Sequence, residues 1–254
     1  MSTGALPASA LRVMSETMPA ALSHARRLPP PRRRGRTAPA PDATLTDRAY
    51  HVLEEAIVRL DLQPGEVVSE AQLSARFHYG RTPIREALQR LARERLVRIL
   101  PRRGIVVAAV DVREQLRLLE VRRELERLCA RLAARRADVP QRARLLALAA
   151  EMERTAETGD DTTFLRLDRE LNLLVLEAAR NEFATAAMTL MHGLSRRFWF
   201  IHWRRSADLP QAAAVHAALA RAIGQARPEA AAAASDRLLD YIEAFTRATV
   251  GADP

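Results

Sequence analysis

The sequence contains no lysine: all forty of its basic residues are arginine. A GC-rich genome produces such a bias, and no function is read from it. Cysteine is nearly absent as well. The single Cys129 excludes an internal disulfide framework and any multi-cysteine zinc cluster, which fits a reducing cytoplasm. Inside a leucine-rich run it reads as a small core residue. No apolar stretch approaches the roughly 18 residues of a membrane-spanning helix, so a soluble chain without a membrane partner is expected. Aromatics make up 4% of the residues, and Phe198, Trp199, Phe200 and Trp203 are clustered, with Trp199 and Trp203 on one helical face. Core and dimer packing is the expectation there, ahead of ligand contact. Enzyme signatures are missing: there is no Ser-His-Asp or Cys-His pattern, no phosphate loop and no HExxH.

Positive charge is abundant and unevenly placed. The formal net charge is +9. Residues 1–42 hold seven Arg against Glu16 and Asp42, residues 43–110 hold eleven Arg against eight acids, and the remainder holds 22 Arg against 21 acids. The excess lies toward the N-terminus, where a nucleic-acid reader would need it. Within residues 1–42 the run LPPPRRRGRTAPAP has almost nothing to bury and a proline spacing that forbids helix. It reads as a disordered basic leader, as an arm adding phosphate attraction, or as an over-extended start with Met14 or Met18 as initiator. Scattered Arg and Ser also suit an organellar transit peptide, against which the bacterial-type segment behind it argues.

Residues 43–110 alternate between two periodicities. Thr46 or Asp47 is expected to cap a helix with Ala49, Leu53, Ile57 and Leu60 on one face, closed by Pro64-Gly65. Ser69 opens a second helix, with Leu73 and Phe77 inward. After His78-Tyr79-Gly80 a third runs from about Thr82 to Glu94 on Ile84, Leu88 and Leu91. Two β-rich runs, Leu96 to Leu100 and Ile105 to Val110, flank the turn Pro101-Arg102-Arg103-Gly104 and make a hairpin. Helix, helix, turn, helix and wing is a winged helix-turn-helix. Residues 111–250 are helical throughout. Leu118, Val121, Leu125, Leu128 and Leu132 recur at spacings of three and four, as do Phe164, Leu167, Leu171, Leu174 and Ala178. Pro140, Gly159, Asn181, Pro210 and Pro228 punctuate six helices, at 111–136, 141–157, 161–179, 182–205, 209–225 and 228–249. The fold expected is mainly α, a winged helix-turn-helix followed by an antiparallel helical bundle.

In a helix-turn-helix the second helix enters the major groove, and residues near its start reach bases and phosphates. Arg81, Thr82 and Arg85 stand there, with Arg81 and Arg85 one turn apart so that both guanidiniums can reach guanine or phosphate. Arg76 on the preceding helix joins the candidate set. Glu86 and Glu94 are expected to restrain the two arginines from the flanks. Arg102 and Arg103 at the wing tip can enter a minor groove, with Gly104 allowing close backbone approach. The run Ser69-Glu70-Ala71-Gln72-Leu73-Ser74-Ala75-Arg76-Phe77, followed by Arg81-Thr82-Pro83-Ile84-Arg85-Glu86-Ala87-Leu88-Gln89-Arg90-Leu91, resembles the reader of GntR-family transcription regulators. Two departures are visible: Gly80 replaces the family's usual Ser, and Arg95 replaces a usual Gly at a helix end that favours positive φ.

The helical segment 111–249 is similar to the FCD effector domain of one GntR subfamily. Arg122, Leu125 and Glu126 match its first-helix signature, and Asp168, Leu171, Asn181 and His216 match further positions. The resemblance implies a divalent metal (zinc, nickel or manganese) held by one Asp and three His, anchoring the carboxylate of an organic-acid effector. Here Asp168 and His216 match, but Asn172 and Leu238 stand where His is expected. One carboxylate, one imidazole and a weak amide are a poor donor set. His192 and His202 are substitutes in principle, although a lone His on a helix is more often a hydrogen-bonded or surface residue. The expectation is a metal-free site in which Arg122 and Arg196, with Asp168, Asn172 and His216, receive an anionic effector. Each arginine equally suits an ion pair with Glu126 or another bundle acid. The function expected is a cytoplasmic homodimeric repressor that binds double-stranded operator DNA under the control of a small carboxylate. The alternatives are a constitutive DNA-binding protein with a ligand-free bundle, and a metal-dependent hydrolase built on Asp168 and His216.

Overall fold

The computed structural model describes residues 44–206 and 208–249; the expected leader at 1–42 lies outside the described residues. The first helix, α1 (Leu45–Val58), is capped by Thr44, two residues before the expected cap. The Thr44 hydroxyl accepts the Asp47 backbone N–H at 3.1 Å while the Asp47 carboxylate reaches back to Thr44. Thr44 prevails over Thr46 because only Thr44 has an acid three residues on to close the box. Ala49, Leu53 and Ile57 face inward as expected. Leu60 does not, because the chain has left the helix and turned at a φ of 64°; Leu62, 2% exposed, fills the core in its place.

A strand with no sequence signal, β1 (Val67–Val68), precedes α2 (Glu70–Phe77), which Ser69 caps in a reciprocal box with Gln72. His78 ends α2 in the left-handed region, and α3 (Arg81–Arg93) starts from Gly80 without a side-chain cap. Strands β2 (Val97–Leu100) and β3 (Gly104–Val107) form the expected hairpin, in the register Val97↔Val107 to Leu100↔Gly104. The sheet order is β1-β3-β2, both pairings antiparallel. Gly104 has a φ of 94°, and a Cβ there would stand 2.9 Å from the Val68 carbonyl oxygen. Its small size is thus required inside the sheet, where β1 passes close to the wing.

Arg95 follows the C-cap of α3 with a φ of 59°. A non-glycine residue in that region costs about 1 kcal/mol. Its 3.5 Å contact with Glu114, between exposed groups, offsets little of this. Arg95→Gly is therefore expected to stabilise the protein by about 1 kcal/mol. Equilibrium urea denaturation checks it; an unchanged or lower midpoint would refute the strain.

The bundle comprises α4 (Val112–Arg136), α5 (Val139–Thr158), α6 (Asp161–Ala179), α7 (Glu182–Ser206), α8 (Leu209–Gly224) and α9 (Pro228–Ala248). Pairs α5/α8 and α4/α9 pack most extensively. Small residues allow the approach: Ala213, Ala217, Ala220, Ala231 and Ala234 are buried, and a Cβ on Gly224 would meet Leu146 Cγ at 2.8 Å. In α6 the expected face is the buried one, through Phe164, Leu167, Leu171 and Ala178. Helix α4 keeps the expected stripe in part, with Leu118, Leu125 and Leu132 half-buried against the core. Its buried line runs through Leu119, Arg122, Cys129, Ala130 and Ala133, and Val121 and Leu128 are 53% and 38% exposed. All the described residues belong to one compact unit, and α7 joins its winged part to its bundle. Leu194 of α7 packs against the core of the winged segment, and a Cβ on Gly193 would lie 2.7 Å from Leu96 Cδ1.

Candidate nucleic-acid interface and the polar cluster of the bundle

The start of α3 is exposed, carries no acid in its first turn and presents Arg81, Thr82 and Arg85. The acid that orients Arg85 is Glu70 at the start of α2. Arg85 donates to it through Nε at 2.9 Å and Nη2 at 2.7 Å. The hydrogen bond and charge of Arg85 hold the Glu70 carboxyl below its ordinary range, with a smaller effect from Arg81. The expected flanking acids are engaged elsewhere. Glu86 accepts the hydroxyl of Thr46. Glu94 is 3% exposed, takes the Tyr50 hydroxyl at 2.8 Å and Arg90 Nε at 3.2 Å, and so ties α3 to α1. Burial raises the Glu94 carboxyl despite these bonds. The reason is distance in the fold: Glu86 on α3 and Glu94 at its C-cap turn toward α1, whereas Glu70 faces Arg85 from the neighbouring helix. Arg76 donates to the Asp61 carbonyl at 2.7 Å and lies over the Phe77 ring, which ties the end of α2 to the loop that follows α1. Arg102 and Arg103 are exposed at the wing tip, and Gly104 directly after them is the first residue of β3.

Inside the bundle, α6 and α8 bring Asp168 and His216 together, with His216 Nε2 3.1 Å from the carboxylate. Asn172, one turn after Asp168, donates to the same oxygen at 3.0 Å. His216 Nδ1 lies 2.7 Å from the Ala212 carbonyl, an acceptor only, so that nitrogen carries hydrogen. Burial alone would push Asp168 up and His216 down. The bond and charge between them overcome this, with Arg122 and Arg196 also acting on Asp168, so the carboxyl is held low and the imidazole high. The result is an imidazolium–carboxylate pair. Arg122 is buried, bonds Glu126 through Nε at 2.6 Å and donates to Ser195 Oγ at 2.8 Å. His192 faces this cluster from α7; burial, then the charges of Arg122 and Arg196, push it down to about 4. Arg196 does not pair within the bundle. It grips Glu54 at 2.7 Å and Glu55 at 3.0 Å, both on α1.

Sequence reasoning missed Ser195 and Gln115, which donates to Ser195 at 3.4 Å. It also missed Arg197, 1% exposed, which donates to the Ala108 carbonyl while its Nε and Nη1 have no partner among the described residues. No local pattern marks these residues, since their partners are 73 to 89 positions away. A cleft lined by Val110, Gln115, Leu118, Leu194, Arg197 and Phe198 lies at the same junction, away from Asp168. Three of the four clustered aromatics are internal packing, and Phe200 is 40% exposed: Trp199 stacks on Phe245 at 4.4 Å, Trp203 on Phe164 at 5.6 Å, and Phe164 meets His216 edge-on at 5.2 Å. His202 packs against Phe198 at 4.5 Å.

These donors do not fit a metal ion. Asp168 and His216 neutralise each other, the Asn172 amide N–H is committed to Asp168, and Leu238 is an apolar core residue, 3% exposed. Among the described residues no three His, Cys, Asp or Glu side chains gather as a ligand set.

Residues 45–107 match the family described as bacterial regulatory proteins, gntR family, and residues 117–241 match the FCD domain. The HTH-type transcriptional regulator YdhC of Bacillus subtilis (strain 168) is 28% identical over 52% of this chain and 59% of its own. The transcriptional repressor GlaR of Escherichia coli (strain K12) is 26% identical over 62% of this chain and 73% of its own. The match thus spans less than two thirds of YdhC. Among solved structures, McbR/YncC of E. coli superposes with a TM-score of 0.69 at 19% identity, covering 82% of this chain and 99% of that one, a likeness of fold. With a gntR-type winged helix-turn-helix and an FCD bundle in one chain, the protein belongs to the GntR family, in its FCD-containing branch.

Proposed function

We propose that the protein is a homodimeric transcription repressor in the cytoplasm that binds double-stranded operator DNA through α3 and the wing, under the control of a small carboxylate received in the bundle. The observation that carries this is the exposed, acid-free start of α3, with Arg81, Thr82 and an Arg85 pre-oriented by Glu70, beside a wing tip of Arg102 and Arg103. A guanidinium held in a fixed plane suits two-point recognition of guanine or phosphate. Arg76 supports the loop that follows α1 and reaches phosphate through Nη2 only if that group leaves the Asp61 carbonyl. The name of GlaR supplies the repressor sign. Among the described residues no set of metal ligands gathers, so the reading does not extend to metal-dependent hydrolysis. Selection of duplexes from a random pool by the full chain tests the reading: one enriched pseudo-palindrome is expected, and no enrichment over bulk DNA would overturn it.

The dimer reading is supported by Val121 and Leu128, seven residues apart on one face of α4 and exposed. Val121→Asp with Leu128→Asp is expected to convert a dimer to a monomer in sedimentation while the melting curve stays cooperative. An unchanged mass would place the interface elsewhere. A constitutive DNA-binding protein is the second reading, favoured by the mutual satisfaction of Asp168, His216 and Asn172, which need no ligand.

A further inference from the structure

Helix α7 is a wall shared by the bundle interior and the winged segment. His192 and Ser195 face the polar cluster, whereas Gly193, Leu194 and Arg197 contact Leu96, the winged core and Ala108. Arg196 faces both ways. Its charge acts on Asp168 and His192 in the bundle, yet its hydrogen bonds go to Glu54 and Glu55 of α1.

The charges around it are matched one by one. Asp168 is answered by His216 and Glu126 by Arg122. Arg196 is the cation of the cluster whose counter-charge comes from outside the bundle. His192 is neutral at ordinary pH and makes no hydrogen bond to another described residue, so an acceptor or donor is available beside Arg196. The two reader acids differ in what they would lose. Glu55 also pairs with Arg59 at 2.5 Å and lies 3.7 Å from Arg169. Glu54 is 6% exposed, and Arg196 is its ion-pair partner among the described residues. If Arg196 turned away, Glu54 would be a buried, uncompensated carboxylate. Such a charge is relieved by reaching water, which here requires α1 to part from α7.

The geometry points to Arg196 as a clamp shared between reader and sensor: Glu54 and Glu55 hold it in the free protein, and a carboxylate ligand lodged beside His192 takes it and releases α1 from α7. This rests on the reading of the bundle as a sensor and states how that sensor reaches the DNA-binding part. The ligand and the reader acids compete for one guanidinium, so each weakens the other, and linkage makes the effect reciprocal. Glu126 and Ser195, the latter also bonded by Gln115, hold Arg122 within the bundle, so Arg196 is the cation whose exchange of partner would reach the winged segment.

The test uses the full chain with sodium acetate and sodium malonate as probes, against sodium chloride at matched ionic strength. Calorimetric titration of malonate into the Glu54→Gln, Glu55→Gln double variant is expected to show binding about tenfold tighter than in the wild type. In the unmutated protein, malonate is expected to speed hydrogen exchange of the α1 amides, and Arg196→Gln is expected to abolish that response. The exchange measurement needs no variant, so a poorly folding substitution leaves it readable. Equal malonate affinity in the double variant and wild type, with α1 exchange unchanged, overturns the clamp and leaves the sensor standing. No binding of either carboxylate to wild type or double variant overturns the carboxylate site, and the clamp with it.

Discussion

Asp168→Ala is expected to cost about 3 kcal/mol of folding stability at about pH 6. The loss is large because it leaves His216, a buried group, facing an empty position with its charge uncompensated, and frees the Asn172 amide. The pH dependence follows from the two shifts. His216 is raised above its ordinary 6.5, so its contribution is fully present below that value and is lost as pH climbs through the raised one. Asp168 is lowered below its ordinary 3.8, so its contribution is present above that value and is lost as pH falls through the lowered one. Between 3.8 and 6.5 both act in full. The difference between wild type and Asp168→Ala in urea denaturation should therefore be widest there and shrink as the solution turns alkaline. Asp168→Asn keeps hydrogen bonds without the charge, so it should lose less and flatten the alkaline limb. His192 adds to the loss on the acid side. It titrates near 4 when folded and at 6.5 when unfolded, so stability falls as pH drops between them, and His192→Gln should remove that fall. A wild-type-minus-Asp168→Ala difference that does not vary with pH would show that the pair is a neutral hydrogen bond.

How much of this was legible depends on whether the signal was local. Pro140, Gly159, Asn181, Pro210 and Pro228 each sit at a boundary between helices of the bundle, because proline is tolerated in the first turn of a helix and Gly159 takes the left-handed end of α5. For the same reason α5 begins two residues earlier than expected: Asp138 caps it and Pro140 lies inside its first turn. The two residues of β1 have no periodicity to detect, and their strand character comes entirely from pairing with β3. The α4 stripe was legible in part: Leu118, Leu125 and Leu132 pack against the core, but the most deeply buried line passes through Cys129, Ala130 and Ala133, small residues that weigh little in a leucine-based pattern. The site shows the same division. Asp168 and Asn172, one turn apart, could be placed on one face from sequence alone. That Arg196 would look outward to Glu54 and not inward to a bundle acid depends on the packing of α1 on α7, across 142 positions of chain.

Arg85→Ala is expected to weaken operator binding by about tenfold to a hundredfold and to relax specificity at one base position of each half-site. Glu70 holds the guanidinium in a defined plane before DNA arrives, so the side chain loses little freedom on binding. The same grip predicts the outcome of Glu70→Gln. Affinity for any DNA should rise slightly as a negative charge leaves the interface, while discrimination between operator and random sequence falls because Arg85 is no longer aimed. Arg102→Ala and Arg103→Ala act differently. These exposed side chains at the wing tip meet phosphates or a minor groove, so each should weaken operator and random DNA alike and reduce the slope of log affinity against log salt by about one. Fluorescence anisotropy on the selected operator and on a scrambled duplex, at three salt concentrations, separates the classes. A loss for Arg85→Ala that is equal on both duplexes, with the salt slope reduced by the same one unit, would move Arg85 into the phosphate-contacting set and leave the reading of bases to Arg81 and Thr82.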